Sequence, residues 1–352
     1  MDLSTSTPNP HPTSTPTPTR DAATAEPSQR RRQVIRLFGA GAATALAGAP
    51  LLASAQAERP MRFIVPFPAG TTTDAAARLF GKVITDRTGR PVTIENRPGA
   101  NGVIAVQAAL AAPADGNTVF IGANSTLSTN AAAFKKLAYD PVADFSLVGF
   151  LVLAPCFLMV PAHSRFDTVA QLVAEARRRP KALNYAAGSV TYQLISEWLN
   201  DLAKIQATAI PFKGSNEARV AVVAGEVDYA LTDASEDVAS LVKAGRLKVL
   251  MHTSTERSPL LPDVPSAVEA GYPDFIALTW SAAAVSSKTP APLVESLRSL
   301  IADCARSPEV REFYAKRSMP QLSLGGGDMQ KYQREEVARW NRIVAATGFE
   351  RQ

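Results

Sequence analysis

The chain has 352 residues, with 37 basic and 32 acidic side chains and a net charge of +5. This small excess of positive charge gives no reason to expect a nucleic-acid partner or an anionic membrane surface. Two cysteines and three histidines are too few for a zinc-type cluster, so we expect no metal and no cofactor. The length permits a large core, which we expect to be divided between two lobes.

The amino-terminal segment has the three parts of an export signal. Residues 2–29 are rich in Ser, Thr and Pro, and a twin arginine follows at Arg31-Arg32. An apolar stretch from Leu37 to Leu52 then ends in small residues up to Ala57. A membrane anchor is the alternative, but the stretch is shorter than the roughly 20 residues of a spanning helix. We therefore predict that residues 1–57 are a leader plus a Tat-type signal, cleaved near Ala57, and that the mature chain is periplasmic.

After Ala57, short β-rich runs alternate with amphipathic helical segments, a pattern typical of an α/β fold with mostly parallel sheets. Thr168, Thr289 and Ser307 precede three of the helical segments and are expected to cap them. The predicted strands are Met61–Pro66, Val92–Glu95, Thr118–Ile121, Leu183–Ala186, Ala207–Pro211, Asp228–Leu231 and Leu247–Met251.

One apolar run, Ser146 to Val160, is unusually long and contains a proline but no helical period. It is typical of an extended strand that leaves one lobe and enters another, and the chain is expected to return near Leu247–Met251. Two crossovers of this kind would form a hinge with a cleft between the lobes. The predicted organisation is lobe 1 from residues 58–160 and 252–352, and lobe 2 from residues 161–251.

The two cysteines are expected to be free. An oxidising compartment would permit a disulfide. However, Cys156 lies in an apolar, strand-like run and Cys304 in a helical pattern. Two separately buried thiols fit these surroundings better than a bridge does.

Four turns rich in glycine and hydroxyl side chains follow predicted strands and precede helices. In an open α/β sheet, ligands collect at the carboxyl ends of the strands. A helix start offers free backbone N–H groups and a partial positive charge, which suit a small anion. We therefore predict a site for a small carboxylate or phosphate at these turns. They are Pro68–Asp74, Gly122–Thr126, Ala187–Thr191 and Phe212–Asn216.

No nucleophile elbow or phosphate loop is present in the mature sequence, and we expect no catalytic residue. The competing hypothesis is an exported α/β enzyme that uses Asp233 or Tyr192 as an acid or base. A third hypothesis is a purely structural envelope protein, which would bind no ligand at all.

An ordered set of short motifs resembles the solute receptors of tripartite tricarboxylate transporters, the Bug-type periplasmic binding proteins. The motifs span almost the whole mature chain, in the order found in that family. They are "IVPFPAGTTTDAAAR", "VTIENRPGANG", "AYDPVADF", "LNYAAGS", "PFKGSNEA", "LPDVPSAVEAG" and "TPAPLVESL".

This resemblance implies a two-lobed, Venus-flytrap binding protein without catalytic activity. Such a protein holds a small carboxylate, which is a dicarboxylate, an amino acid or an aromatic acid, and delivers it to the permease subunits. A variant would report the ligand to a two-component sensor kinase. We expect a monomer. From the turns and the resemblance together, the predicted ligand-binding residues are Phe67, Pro68, Ala69, Gly70, Thr71, Thr73, Asn124, Ser125, Gly188, Ser189, Thr191, Tyr192, Lys213, Gly214, Ser215, Thr232 and Asp233.

Two departures from the family pattern lie in the predicted ligand loops. Thr71 and Thr72 stand where the family commonly has a glycine pair, and we expect Thr71 to donate a hydrogen bond to the ligand. Thr73 is predicted either to contact the ligand or only to cap the helix. After the strand that ends near Leu231, Thr232 and Asp233 are alternatives for a single ligand contact that the resemblance implies.

Overall fold

The computed structural model describes residues 59–317, 319 and 326–352. The predicted export signal at residues 1–57 lies outside the described residues. The described chain forms nine strands: β1 (Met61–Val65), β2 (Val92–Asn96), β3 (Thr118–Ala123), β4 (Phe145–Pro161), β5 (Asn184–Ala187), β6 (Thr208–Pro211), β7 (Tyr229–Asp233), β8 (Leu247–His252) and β9 (Leu278–Ser286).

Ten α-helices connect and cover these strands: α1 (Thr72–Thr88), α2 (Val103–Leu110), α3 (Asn130–Ala133), α4 (Val169–Arg178), α5 (Val190–Ala203), α6 (Ser215–Ala224), α7 (Glu236–Lys243), α8 (Ala291–Ala305), α9 (Pro308–Ala315) and α10 (Gly326–Thr347). A short 3₁₀ turn at Ala100–Gly102 and a π-helical turn at Ser125–Thr129 complete the described structure. None of the described helices is both long and apolar enough to cross a bilayer.

The sheet is mixed, in the order β2-β1-β3-β9-β4-β7-β5-β6, with β8 also paired to β4. The prediction of mostly parallel sheets is wrong in the centre. There β9 pairs antiparallel with β3 and β4, and β4 pairs antiparallel with β7 and β8. Parallel pairing is found at both ends of the order, among β1, β2 and β3 and among β5, β6 and β7.

Strand β4 joins the two parts of the sheet. Its residues 145–155 pair with β9, and its residues 156–161 pair with β7 and β8. Its side chains are almost all buried, which explains why its sequence is a continuous apolar run rather than an alternating one. The prediction of one long extended segment through this region is confirmed.

Local signals explain where the helices begin. Thr71 caps α1, Thr168 caps α4 and Ser307 caps α9, each by accepting a hydrogen bond from a backbone N–H in the first turn. The predicted cap Thr289 is wrong, because α8 begins one residue later, with Pro290 at the cap position and no side-chain cap bond. Cys156 and Cys304 are both free and buried, as predicted.

Two elements were not predicted from the sequence. Strand β9 is rich in alanine and serine, which are poor indicators of a strand. Helix α10 does carry a helical pattern, because its buried side chains recur every three or four residues, at Met329, Gln333, Glu336, Trp340 and Ile343.

Candidate ligand-binding cavity

A cavity lies where the helix-start turns of the two parts of the sheet meet. Its volume is about 530 Å³, including solvent at its mouth. The lining is mostly hydroxyl, amide and aromatic groups. It consists of Phe67, Thr71, Thr72, Thr73, Ala123, Asn124, Ser125, Val152, Gly188, Ser189, Thr191, Tyr192, Ser215, Asp233, Thr279 and Trp280.

Most of the residues predicted as ligand-binding from the sequence are brought together here. Those that line the cavity are Phe67, Thr71, Thr73, Asn124, Ser125, Gly188, Ser189, Thr191, Tyr192, Ser215 and Asp233. The others lie behind the wall or on the surface nearby: Pro68, Ala69, Gly70, Lys213, Gly214 and Thr232. Contact with a ligand remains a prediction for all of them.

The loop before α1 is held in shape by Thr71. The Thr71 hydroxyl accepts a hydrogen bond from the Asp74 N–H at 3.3 Å and donates one to the Pro68 carbonyl at 3.2 Å. The cap of α1 is therefore Thr71. The alternative prediction, that Thr73 caps this helix, is wrong. Gly70 has φ = +85°, a left-handed conformation that glycine adopts at little cost.

Asp74 supports this loop from behind. Its carboxylate accepts hydrogen bonds from the Gly70 N–H at 2.9 Å, from Arg78 Nε at 3.0 Å and from Asn96 Nδ2 at 2.8 Å. Burial opposes ionisation of Asp74, but the bonds from Arg78, Gly70 and Asn96 outweigh it and hold the pKa below 3.8. Asn96 also donates to the Phe67 carbonyl at 3.0 Å, which ties both ends of the loop to β2.

Asp233 lies on the opposite wall, at the end of β7. Tyr192 donates its hydroxyl to Asp233 Oδ1 at 2.9 Å, and Thr72 donates its hydroxyl to Asp233 Oδ2. Side chains on a strand alternate between its two faces, so Thr232 points away when Asp233 points into the cavity. Of these two neighbours only Asp233 lines the cavity, and contact with a ligand remains a prediction for both.

The two walls touch directly. Besides the bond from Thr72 to Asp233, the Asn216 side-chain amide donates to the Gly70 carbonyl at 3.0 Å. Deeper in, Thr191 donates to the Thr129 hydroxyl at 3.2 Å, joining α5 to the π-helical turn. These contacts close the cavity on several sides, as expected for a site that encloses a small molecule.

Ser125 is the clearest unsatisfied group in the wall. Its side chain is only 2% exposed and its hydroxyl has no hydrogen-bond partner. Neighbouring Asn124, by contrast, has partners for both its oxygen and its nitrogen, since it accepts from the Trp280 backbone N–H and donates to the Leu278 carbonyl at 3.3 Å. A buried hydroxyl without a partner is costly, so Ser125 marks a place where a polar ligand atom would be stabilised.

The lining contains hydrogen-bond donors but no basic side chain. In the part of the chain that the structure describes, no group of three or more His, Cys, Asp or Glu could hold a metal ion. Burial, and next the charge of Asp233, raise the pKa of Tyr192 well above 10 and that of the Cys156 thiol above 9. Both groups are therefore neutral near pH 7.

Five lining residues were missed by the sequence reasoning: Thr72, Ala123, Val152, Thr279 and Trp280. Thr72 was passed over because the sequence does not show that all three adjacent threonines line the cavity. Thr279 and Trp280 lie on β9, the strand that was not predicted. A tryptophan next to hydroxyl residues in "LTWSA" was a signal that could have been used.

The fold is that of the periplasmic solute-binding proteins. Two solved structures match over almost their whole length. One is Rpa4515 of R. palustris with adipate, with a TM-score of 0.78 and 29% identity, covering 83% of this chain and 98% of that one. The other is MatC (Rpa3494) from Rhodopseudomonas palustris with bound malate, with a TM-score of 0.77 and 29% identity, covering 82% and 99%.

The chain belongs to the tripartite tricarboxylate transporter family receptor group, whose family model matches residues 76–349. BugT of Bordetella pertussis (strain Tohama I) is 29% identical over 321 residues, which are 90% of this chain and 98% of that protein. The resemblance inferred from the ordered motifs is thereby confirmed. The family is one of solute-binding receptors and not of enzymes.

Proposed function

We propose that this chain is a periplasmic receptor that closes on a small carboxylate and delivers it to the permease subunits of a tripartite transporter. The observation that carries the proposal is the cavity, which combines the start of α1, the start of α5 and the unpartnered Ser125 hydroxyl. The adipate and malate in the two R. palustris proteins support a carboxylate as the ligand class.

The chemistry of the wall suits a carboxylate without a basic side chain. The first N–H groups of α1 and of α5 have no acceptor within their own helices. Hydrogen bonds from such groups and from hydroxyls to a charged ligand contribute about 1.5–3 kcal/mol each. A few of them suffice for a micromolar complex, about −8 kcal/mol, after the ordering costs of binding.

The same proposal covers the organisation and location of the chain. Residues 58–160 and 252–352 form one lobe and residues 161–251 the other. The pairing of β4 first with β9 and then with β7 and β8 supports a crossover near residue 155. Residues 1–57 direct export and are removed near Ala57. Amino-terminal sequencing of the protein from a periplasmic fraction would begin at Glu58 if this is correct.

The decisive experiment is ligand-dependent thermal unfolding of the purified protein after any bound ligand has been removed in denaturant. At a free concentration of about 100 times Kd, a carboxylate that binds should add about 2.7 kcal/mol to the free energy of unfolding. The panel contains mono- and dicarboxylates, amino acids and aromatic acids, with matching primary alcohols as controls. Stabilisation by none of the acids would contradict the proposal.

A variant locates the site. Ser125→Ala should weaken carboxylate binding about tenfold, because the buried hydroxyl is free to donate to the ligand. Ser240→Ala, on the exposed face of α7, is the matched control and should leave Kd unchanged. Equal affinities of the two variants for the carboxylate would show that the ligand does not bind Ser125.

A further inference from the structure

The cavity contains a carboxylate for which the described structure supplies no cation. Asp233 is 5% exposed and lines the cavity. Its two hydrogen-bond partners, Thr72 and Tyr192, are neutral hydroxyls. Among the described residues, no lysine, arginine or histidine forms an ion pair or hydrogen bond with it. Arg219, which contacts the segment next to it, donates to Ser235 at 3.2 Å and to Asn216 instead.

Removing a charge from water is costly unless the charge is paired. A carboxylate can accept about four hydrogen bonds, and the two hydroxyls use only half of that capacity. The remaining lone pairs of Asp233 are available to a ligand that donates. A cationic donor would supply both the missing hydrogen bonds and the missing charge, in a charge-assisted bond that is stronger than a neutral one.

The wall also carries a donor that is free. The buried Ser125 hydroxyl lines the cavity and has no hydrogen-bond partner. It suits the anionic end of a ligand. The cavity therefore presents both a free donor and a carboxylate that no basic side chain of the lining neutralises.

From these two groups, and resting on the proposed function, we infer that the ligand is a small amino acid whose protonated amine binds Asp233 while its carboxylate binds Ser125. A dicarboxylate of similar size would place its second negative charge next to Asp233. Like charges that share a buried site repel each other, so one would have to take up a proton before both fit. Asp233 is thus the residue that selects a zwitterion over a dianion.

The test uses pairs of acids that differ only in the amine, measured by calorimetry on the purified, ligand-free protein. The pairs are L-alanine with propanoate, L-aspartate with succinate, L-glutamate with glutarate, and 4-aminobutanoate with butanoate. In at least one pair, the amine-bearing member should bind at least tenfold more tightly. Asp233→Asn should remove at least tenfold of that preference, and it should leave the amine-free member unchanged or bound more tightly.

Two further variants separate charge from folding. Asp237→Asn, four residues away on the exposed start of α7, removes the same charge outside the cavity and should not alter the preference. Tyr192→Phe keeps the ring and the charge of Asp233 but removes one donor to it, so the preference for the amine should persist. This second variant keeps the inference testable if Asp233→Asn folds poorly.

The outcomes distinguish this inference from the function on which it rests. If dicarboxylates bind and their amine-bearing partners do not, the receptor function stands and the role of Asp233 is overturned. The same holds if the amine is preferred but Asp233→Asn leaves the preference intact. If no acid of either kind binds, both proposals are overturned together.

Discussion

Two aspartates at the cavity are buried, one behind the α1 loop and one in the wall, and their surroundings differ in kind. Asp74 is 2% exposed and is surrounded by an arginine, an asparagine and a backbone N–H. Asp233 is almost as buried, but it has only two hydroxyl partners and faces the cavity. The difference teaches that burial alone does not identify a functional carboxylate. A buried carboxylate that the protein has neutralised supports the fold, whereas one left without a cation is available to a ligand.

The largest effect on stability should come from Asp74→Asn. The substitution removes the charge that Arg78 faces and leaves the Gly70 N–H or the Asn96 amide without an acceptor. Because Arg78 is half exposed, most of the loss comes from the other two bonds. We expect the free energy of unfolding to fall by about 2–3 kcal/mol in urea denaturation of the ligand-free protein.

Asp86→Asn is the control for Asp74→Asn. Asp86 pairs with Lys82 on the exposed face of the same helix, and both side chains are largely in solvent. Its replacement should change the free energy of unfolding by less than about 0.5 kcal/mol. If the Asp74→Asn and Asp86→Asn proteins were equally stable, the hydrogen bonds of Asp74 would not stabilise the fold.

The pH dependence of stability gives a second test of Asp74. Its folded pKa lies below 3.8, so its ionised form contributes stability that is fully present above about pH 3.8. That contribution is lost as the pH falls through the folded pKa. The difference in stability between the wild type and Asp74→Asn should therefore be constant at neutral pH and shrink below about pH 3.8. A difference that did not shrink in acid would mean that the charge of Asp74 is not the cause.

On the wall that carries Asp233, close backbone packing holds together the two turns that precede α5 and α6. A Cβ atom added to Gly188 would lie 2.6 Å from the carbonyl carbon of Gly214 and 2.7 Å from the Ser215 nitrogen. Backbone atoms cannot rotate out of the way, so Gly188→Ala should push the two turns apart and cost about 1–3 kcal/mol of stability. Carboxylate affinity should fall with it, because α5 and α6 both begin at these turns.

Gly327→Ala is a suitable control for Gly188→Ala, since no atom lies within 4 Å of a Cβ added there. It lies in the first turn of α10 and should be neutral or slightly stabilising. Denaturant unfolding and calorimetry on both variants would check the contrast. A fully stable Gly188→Ala protein with wild-type affinity would show that the close approach of the turns is not needed.

Three adjacent threonines allow a finer test on the α1 side. Thr71→Val keeps the shape of the side chain but removes the cap of α1, so stability should fall by about 1 kcal/mol. Thr73→Val removes a hydroxyl that has no capping role and should change stability by less than about 0.5 kcal/mol. Thermal unfolding without ligand measures both. Equal losses, or a larger loss at Thr73, would contradict the assignment of the cap.

The smallest effect on ligand-free stability is expected from Asp233→Asn. No cation loses its partner when the charge is removed, and relief of an unpaired buried charge offsets the weaker bonds from Thr72 and Tyr192. The free energy of unfolding should change by less than about 0.5 kcal/mol or rise. If Asp233→Asn lost as much free energy of unfolding as Asp74→Asn, Asp233 would also stabilise the fold, and the two aspartates would not differ in role.

The sequence alone determined the local structure. Strands β1 to β8 were predicted within a few residues, because β-rich runs bounded by turn residues depend on nearby side chains. Capping by Thr168 and Ser307 was predicted for the same reason. The sequence also indicated that the hydroxyl-rich turns at strand ends belong to one site, and all four of those turns contribute residues to the cavity wall.

Tertiary structure decided what each side chain in those turns does. Thr71, Thr72 and Thr73 all line the cavity, but which of them caps α1 and which bonds to Asp233 depends on where α1 begins and on what packs against it. Strand alternation places Asp233 and not Thr232 at the cavity, but only once β7 has paired with β4. Strand β9 is formed by pairing between two other strands and not by the β-propensity of its own alanines, so the places of Thr279 and Trp280 in the wall were set by contacts far away in the chain.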